Sequence, residues 1–143
     1  MIIVGDIGNT ETQICLVNSK NIIIKRVTLI TKKINYPLLK KSLLSLNLKD
    51  KVIDKCLFCS VVQKSFNQIK NFFNKTYKIK CNELKKLKLD KLVKIKVNYK
   101  QIGSDRLANA ISAINNKDNF IILDFGTATT FDVLIKKIGR AHV

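Results

Sequence analysis

Met1-Ile-Ile-Val-Gly5-Asp6-Ile-Gly8-Asn-Thr10-Glu-Thr-Gln13-Ile-Cys-Leu-Val17 opens the chain and sets its fold. Met1 to Gly5 is a short apolar run that reads as a buried strand. Asp6 to Thr10 is a cluster of turn formers, and Thr12 to Val17 resumes an extended, partly alternating pattern. Asn18 to Asn21 supplies a second turn, and Asn21 to Thr31, rich in Ile, Val and Thr, predicts a third strand. Pro37 suits the first turn of a helix with its stripe at Leu38, Leu39, Ser42, Leu43 and Leu46. Cys56 to Val62 predicts a strand, Gln63 to Phe73 an amphipathic helix and Tyr77 to Cys81 a further strand. Glu83 to Lys100 alternates Lys and Leu without a single period, which predicts a weak strand or a loop. Ser104 to Asn115 predicts a helix with Ser104 as N-cap and Leu107, Ala108, Ile111 and Ile114 on one face. Phe120 to Phe125 reads as a buried strand, Gly126 to Ala128 as a turn and Thr130 to Ile135 as a closing strand. A meander of three strands followed by alternating helices and strands predicts an α/β fold around a mixed sheet.

The 143 residues carry a formal charge of +17, with 24 Lys against three Arg. Nucleic-acid readers favour the planar donor fork of Arg. Here the Lys residues are spread over the whole chain, and Lys, Ile and Asn dominate throughout, as A/T-rich codons dictate. Composition therefore argues against a nucleic-acid partner. The first apolar run stops at Gly5-Asp6, too short for a secretory leader, and no stretch approaches a membrane span. A cytoplasmic protein without a membrane partner is expected, with its four cysteines reduced. Cys56 and Cys59 lie three apart on an expected strand and so point to opposite faces, which is poor geometry for one metal ion.

Two segments share one design. Val4-Gly-Asp6-Ile-Gly8-Asn-Thr10 and Ile122-Leu-Asp124-Phe-Gly126-Thr127 both run apolar strand, Asp, apolar residue, Gly, then an amide or hydroxyl residue. The Gly lets the backbone approach a phosphate closely. The N–H groups and hydroxyl that follow can donate to phosphate oxygens, and the Asp can hold a cation that offsets the phosphate charge. Two copies predict two loops facing one polyphosphate across a cleft. A P-loop is excluded by the absence of its G-x-x-x-x-G-K-[ST] pattern. Between the copies stands Gly103-Ser-Asp105-Arg106-Leu-Ala-Asn109. Asp105 and Arg106 there fit either a helix start that complements the dipole or a general base beside an anion clamp.

Together, Asp6-Ile-Gly-Asn-Thr10, Gly103-Ser-Asp-Arg-Leu-Ala-Asn109 and Asp124-Phe-Gly-Thr-Ala-Thr-Thr-Phe-Asp132 resemble the type III pantothenate kinases. The order of elements is similar to the ribonuclease H-like unit of actin-like ATPases and sugar kinases, to which that family belongs. The resemblance implies ATP-dependent phosphorylation of pantothenate to 4'-phosphopantothenate, the first step of coenzyme A synthesis. It assigns Asp6, Ile7, Gly8, Asn9, Thr10, Glu11, Thr12, Gln13 and Thr127 to ATP. Gly103, Ser104, Asp105 and Arg106 would meet pantothenate, with Asp105 the proton acceptor. Asp124 would bind a monovalent cation, K+ or NH4+, and Mg2+ would accompany ATP. A homodimer is implied for the full-length protein. The family often has a Tyr upstream of the motif Gly; Lys96 holds that place here, with Tyr99 nearby.

By the same resemblance, residues 1–117 form a first ribonuclease H-like domain. Residues 118–137 open a second, truncated domain of the same type, so the chain is expected to be inactive as it stands. Ile138-Gly-Arg-Ala-His-Val143 matches the translation of a common sequencing adapter and is expected to be read-through. The competing class is a regulatory protein of the Bvg accessory factor kind on the same scaffold. Retention of Asp105 and both phosphate motifs favours catalysis.

Overall fold

The computed structural model describes residues 1–90, 92–114, 117–126 and 129–135. Strands β1 (Ile2–Ile7), β2 (Glu11–Val17) and β3 (Ile23–Ile30) form the meander. After α1 (Tyr36–Leu43) come β4 (Lys55–Ser60), α2 (Gln63–Tyr77) and the short β5 (Asn82–Glu83). Helix α3 (Ser104–Ala113) precedes a hairpin of β6 (Phe120–Phe125) and β7 (Thr129–Leu134). The fold is α/β with a mixed sheet, in the order β3-β2-β1-β4-β5. β1–β2 and β2–β3 run antiparallel, whereas β1–β4 and β4–β5 run parallel. The hairpin is a separate two-stranded sheet. Among the described residues no helix is long and apolar enough to cross a membrane.

Each face of the large sheet has its own apolar layer. Ile3, Ile7, Ile14, Leu16, Cys56 and Phe58 pack with Leu39 and Leu43 of α1 and Phe66, Ile69, Phe72 and Phe73 of α2. On the opposite face Leu57 and Cys59 meet Leu84, Leu89, Ile102 and Leu107. Cys56 and Cys59 thus part to opposite faces as their spacing requires. The sheet is tightest where β1 lies beside β4. Gly5 pairs with Phe58, and a Cβ at Gly5 would stand 2.1 Å from the Phe58 ring.

Several local expectations shift. α1 starts as expected, with the Asn35 side chain accepting from Leu38 N–H at 2.9 Å and Pro37 in the first turn. α2 runs to Tyr77 instead of ending at Phe73, because Tyr77 packs on Phe72 and Phe73. Lys78 then closes it with φ 58, its N–H reaching Asn74 O at 3.1 Å, while Ile79 N–H reaches Phe73 O at 3.3 Å. This left-handed C-cap consumes the residues expected as a strand over 77–81. Pairing with β4 begins only at Asn82. Among the described residues of 84–102, Leu84–Lys86 form a 3-10 turn and the others a loop whose Leu89 and Ile102 are buried.

β6 is not the buried strand its composition suggested. Ile121 and Phe125 are 70% and 76% exposed, and Phe131 and Val133 of β7 are 66% and 70% exposed. One hairpin face turns outward while the other meets α3. The segment 138–143, expected to be read-through, lies outside the described residues.

The Gly5–Phe58 contact generates a prediction. Gly5→Ala should destabilise the chain by about 1–3 kcal/mol through overpacking, and adding Phe58→Leu should recover part of that loss. Denaturant midpoints of the two variants measure it. A Gly5→Ala midpoint equal to that of the parent would show that the ring has room to move.

Candidate active site

Asp6 is the next-to-last residue of β1, on the face opposite the α1/α2 layer. Strand pairing sets Gln13 beside it on β2 and Cys59 on β4. The Cys59 thiol donates to Asp6 Oδ1 at 3.2 Å. The Asp6 carboxyl lies above its ordinary range. Desolvation is the main cause, opposed by the Cys59 hydrogen bond, and the negative charges of Asp105 and Asp124 push it further up. Three carboxylates from β1, α3 and β6 therefore share one electrostatic neighbourhood. The Cys59 thiol is raised as well, by burial first and then by Asp6.

The loop after Asp6 is anchored from below. Gly8 N–H donates to Glu11 O at 2.9 Å. The Thr31 hydroxyl donates to Gly8 O at 2.8 Å and meets the Thr12 hydroxyl at 2.9 Å, and Thr31 N–H reaches Thr10 O at 2.9 Å. Gly8 does not use a left-handed conformation; a Cβ there would approach Glu11 O to 3.1 Å. Asn9, Thr10 and Glu11 are exposed at the loop, and Gln13 donates to the Glu11 carboxylate at 3.0 Å. Two of the residues assigned to ATP are buried. Ile7 and Thr12 are both 0% exposed, with the Thr12 hydroxyl taken by Thr31 and Ile7 O by Val61 N–H at 3.0 Å. Alternation along the strands turns both side chains inward, where they hold the loop.

Helix α3 supplies the second wall. Its N-cap is Gly103, not Ser104. Ser104 is 1% exposed and donates to Glu83 Oε1 at 2.5 Å, so its hydroxyl is not presented to a substrate. A Cβ at Gly103 would lie 2.2 Å from Asp105 Oδ1, so any larger residue there would turn the Asp105 carboxylate away. That oxygen accepts from Arg106 N–H at 2.8 Å, which orients the partly exposed carboxylate at the start of the helix.

Arg106 is not an open anion clamp. Its Nε donates to Asp132 Oδ1 and Oδ2 at 3.0 and 2.9 Å, Nη2 also bonds Asp132 Oδ1, and Nη2 reaches Phe131 O at 3.3 Å. The Asp132 hydrogen bond raises the Arg106 pKa further. One turn along α3, Asn109 donates to Asp124 Oδ2 at 3.1 Å. These contacts tie the hairpin to α3 and bring Asp124 toward Asp6. Gly126 is two residues beyond Asp124, as Gly8 is beyond Asp6; the residues that follow Gly126, Thr127 and Ala128, lie outside the described ones. Tyr99 turns its hydroxyl to Lys85 O at 2.5 Å and does not line the cavity of about 500 Å3 between Lys96, Arg106 and Phe131.

The fit of a cation rests on two observations. The mutual charge of Asp6, Asp105 and Asp124 is of the kind a bound cation neutralises. The Thr130 hydroxyl, opposite Asp124 in the hairpin register, is buried without a hydrogen-bond partner. Among the described residues no group of three acidic, Cys or His side chains is placed to hold a metal ion unaided. Any cation there would need oxygens from the nucleotide or water beside the protein's.

The family model of the type III pantothenate kinases matches residues 2–139. The chain belongs to that family. It is 83% identical over 143 residues to the type III pantothenate kinase of Pelagibacter ubique strain HTCC1062, covering 100% of this chain and 58% of the relative. It is 35% identical over 144 residues to that of Sulfurihydrogenibium sp. strain YO3AOP1, covering 95% and 56%. It is 30% identical over 133 residues to that of Akkermansia muciniphila, covering 90% and 50%. The chain thus spans little more than half the length of these relatives.

Sequence reading reached Asp6, Asp105 and Asp124 but gave no role to Cys59, Glu83, Asn109, Thr130 or Asp132. Asn109 and Asp132 stand inside the quoted motifs, and the three-residue spacing of Arg106 and Asn109 already put them on one helix face. Nothing in the sequence marked Glu83 or Cys59, which meet their partners only through tertiary pairing.

The charge cluster makes a signed prediction. Asp6 has its pKa raised by folding, so its ionised form costs the folded state stability at neutral pH, and stability recovers as pH falls through the raised value. Asp6→Asn, which still accepts the Cys59 hydrogen bond, should raise Tm at pH 7 by about 1–2 °C. The gain should fade as the pH approaches the ordinary carboxyl value of 3.8. A Tm unchanged or lowered at pH 7 would mean that neither burial nor the neighbouring carboxylates penalise the Asp6 charge.

Proposed function

We propose that this chain carries the reacting half of an ATP-dependent pantothenate kinase, which phosphorylates the hydroxyl of pantothenate to 4'-phosphopantothenate at the start of coenzyme A synthesis. The observation that carries the reading is the convergence of Asp6, Asp105 and Asp124 beside the Gly8 turn. Family membership supports it. ATP supplies the phosphoryl group. In phosphoryl transfer the protein contributes mainly position and charge neutralisation.

Asp105 serves as general base for the pantothenate hydroxyl, at the helix N-terminus where Gly103 leaves room for its carboxylate. Exposed Asn9 and Thr10, with Glu11 and Gln13 at the strand start, face the ATP phosphates on a loop that Thr31 and Thr12 hold. Thr127, which follows Gly126 in the second D-x-G sequence, is assigned to ATP as well. Asp124, with Thr130 beside it, holds a monovalent cation, K+ or NH4+, and Asp6 faces the Mg2+ that accompanies ATP. Arg106 fixes the hairpin through Asp132, and Gly103 and Asp105 carry the contact with pantothenate. The strand order fits a ribonuclease H-like domain over residues 1–117, with residues 118–137 opening a second one. Action in the cytoplasm as a homodimer completes the proposal.

In the full-length gene, Asp105→Asn should retain ATP binding and lower turnover by roughly 10²–10⁴-fold, the usual contribution of a general base. Turnover within about threefold of the parent would reassign Asp105 to helix capping. The 143-residue chain itself, spanning 58% of its Pelagibacter relative, should show no turnover above background with ATP and pantothenate. Catalysis depends on reacting groups held together, and Ile121, Phe125 and Val133 are left uncovered. Turnover comparable to a full-length relative would overturn that expectation.

A further inference from the structure

Cys56 and Cys81 belong to neither the carboxylate cluster nor the phosphate loops. Cys56 is the second residue of β4, and Cys81 immediately precedes β5. The register of these parallel strands pairs Leu57 with Asn82, which sets the two cysteines side by side. Their sulfurs lie 3.0 Å apart, and both residues are buried. Neighbouring strands about 4.8 Å apart fall inside the Cα separation of about 4.4–6.8 Å that a disulfide spans. Cys56 also contributes to the wall of a cavity of about 510 Å3, around which stand Lys49, Lys51, Lys55, Lys78, Lys80 and Asp54. Asp54 is itself paired with the Met1 ammonium at 2.7 Å, so the rim is strongly positive. The positive rim draws a small anion to this edge of the sheet, where Cys56 itself is 1% exposed.

We propose that Cys56 and Cys81 are a redox-active dithiol, which a small anionic disulfide of the oxidised glutathione type converts to an intramolecular disulfide. The Cys56 thiolate attacks one sulfur of the reagent and breaks its S–S bond. The released sulfur takes up the proton that Cys56 gave. Cys81 then attacks the mixed disulfide, forms the Cys56–Cys81 bond and expels the second reagent thiol with its proton. The protein loses two electrons and two protons, and the reagent leaves as two thiols.

The bond would staple β5, which pairs with β4 through only two residues. The last of these is Glu83, the acceptor for Ser104 beneath Asp105. The dithiol thus sits at the root of the support for α3. The hydrogen bond that the Cys56 thiol donates to Cys81, and then burial, push the Cys56 thiol up, so exchange in the folded chain is slow at neutral pH and quickens as pH rises.

The test incubates the 143-residue chain with oxidised glutathione, both folded and during refolding from denaturant. Unreacted thiols are alkylated after unfolding, and intact mass and digests are read. The expected product has lost two hydrogens and contains a Cys56–Cys81 linked peptide. It should melt about 5–10 °C above the reduced chain. Cys56→Ser and Cys81→Ser should each abolish the linked product, whereas Cys15→Ser should leave it. A linkage in either incubation supports the dithiol. Its absence from both, or glutathione held stably on Cys59 or Cys15 instead, would overturn it.

Discussion

Where β1 lies parallel to β4, the two chains approach so closely that Gly5 faces the edge of the Phe58 ring with no room for a Cβ. Most of the molecule takes its place from that contact. The ring belongs to the layer that seats α1 and α2, so the larger core is built on it. One residue further along, the same register aligns Asp6 with Cys59 on the other face. Neighbouring residues on a strand point to opposite sides. A packing constraint on one face therefore fixes a carboxylate on the other, and the carboxylate face inherits its precision from an apolar contact it never touches.

On that second face the balance is electrostatic. The chain as a whole is strongly basic, yet the described ends of β1, α3 and β6 gather Asp6, Asp105 and Asp124. The overall excess of lysine does not neutralise them, since exposed charges beyond about 8–10 Å are screened at physiological ionic strength. What remains is a local negative cluster in a positive molecule. Such an arrangement attracts anionic substrates at long range and accepts them at short range only together with cations.

Much of this was legible in the sequence because it is written in local patterns. The meander, α1 and the D-x-G strand ends depend on alternation and turn residues that neighbours in sequence specify. The misreadings arose where distant residues decide. Tyr77 stays helical because its ring finds Phe72 and Phe73, and only then does Lys78 close the helix. Ser104 looks like an N-cap by residue type, but buried Glu83 takes its hydroxyl and the capping position moves to Gly103. Thr12 falls in the run that the resemblance assigns to ATP, yet strand alternation turns it to Thr31. The apolar run of β6 does not reveal that one face lacks cover, since composition does not record what packs against it.

The hairpin shows how the two kinds of information combine. Its inward face is held to α3 chiefly by directed polar contacts, Arg106 with Asp132 and Asn109 with Asp124, while its outward face presents large apolar side chains to solvent. A fork of donors gripping a carboxylate is specific in direction but gains little when exposed, whereas apolar burial gains much and specifies little. Arg106, paired with a largely covered Asp132, therefore directs how the hairpin joins α3, while the apolar face that would add most to cohesion stays outside.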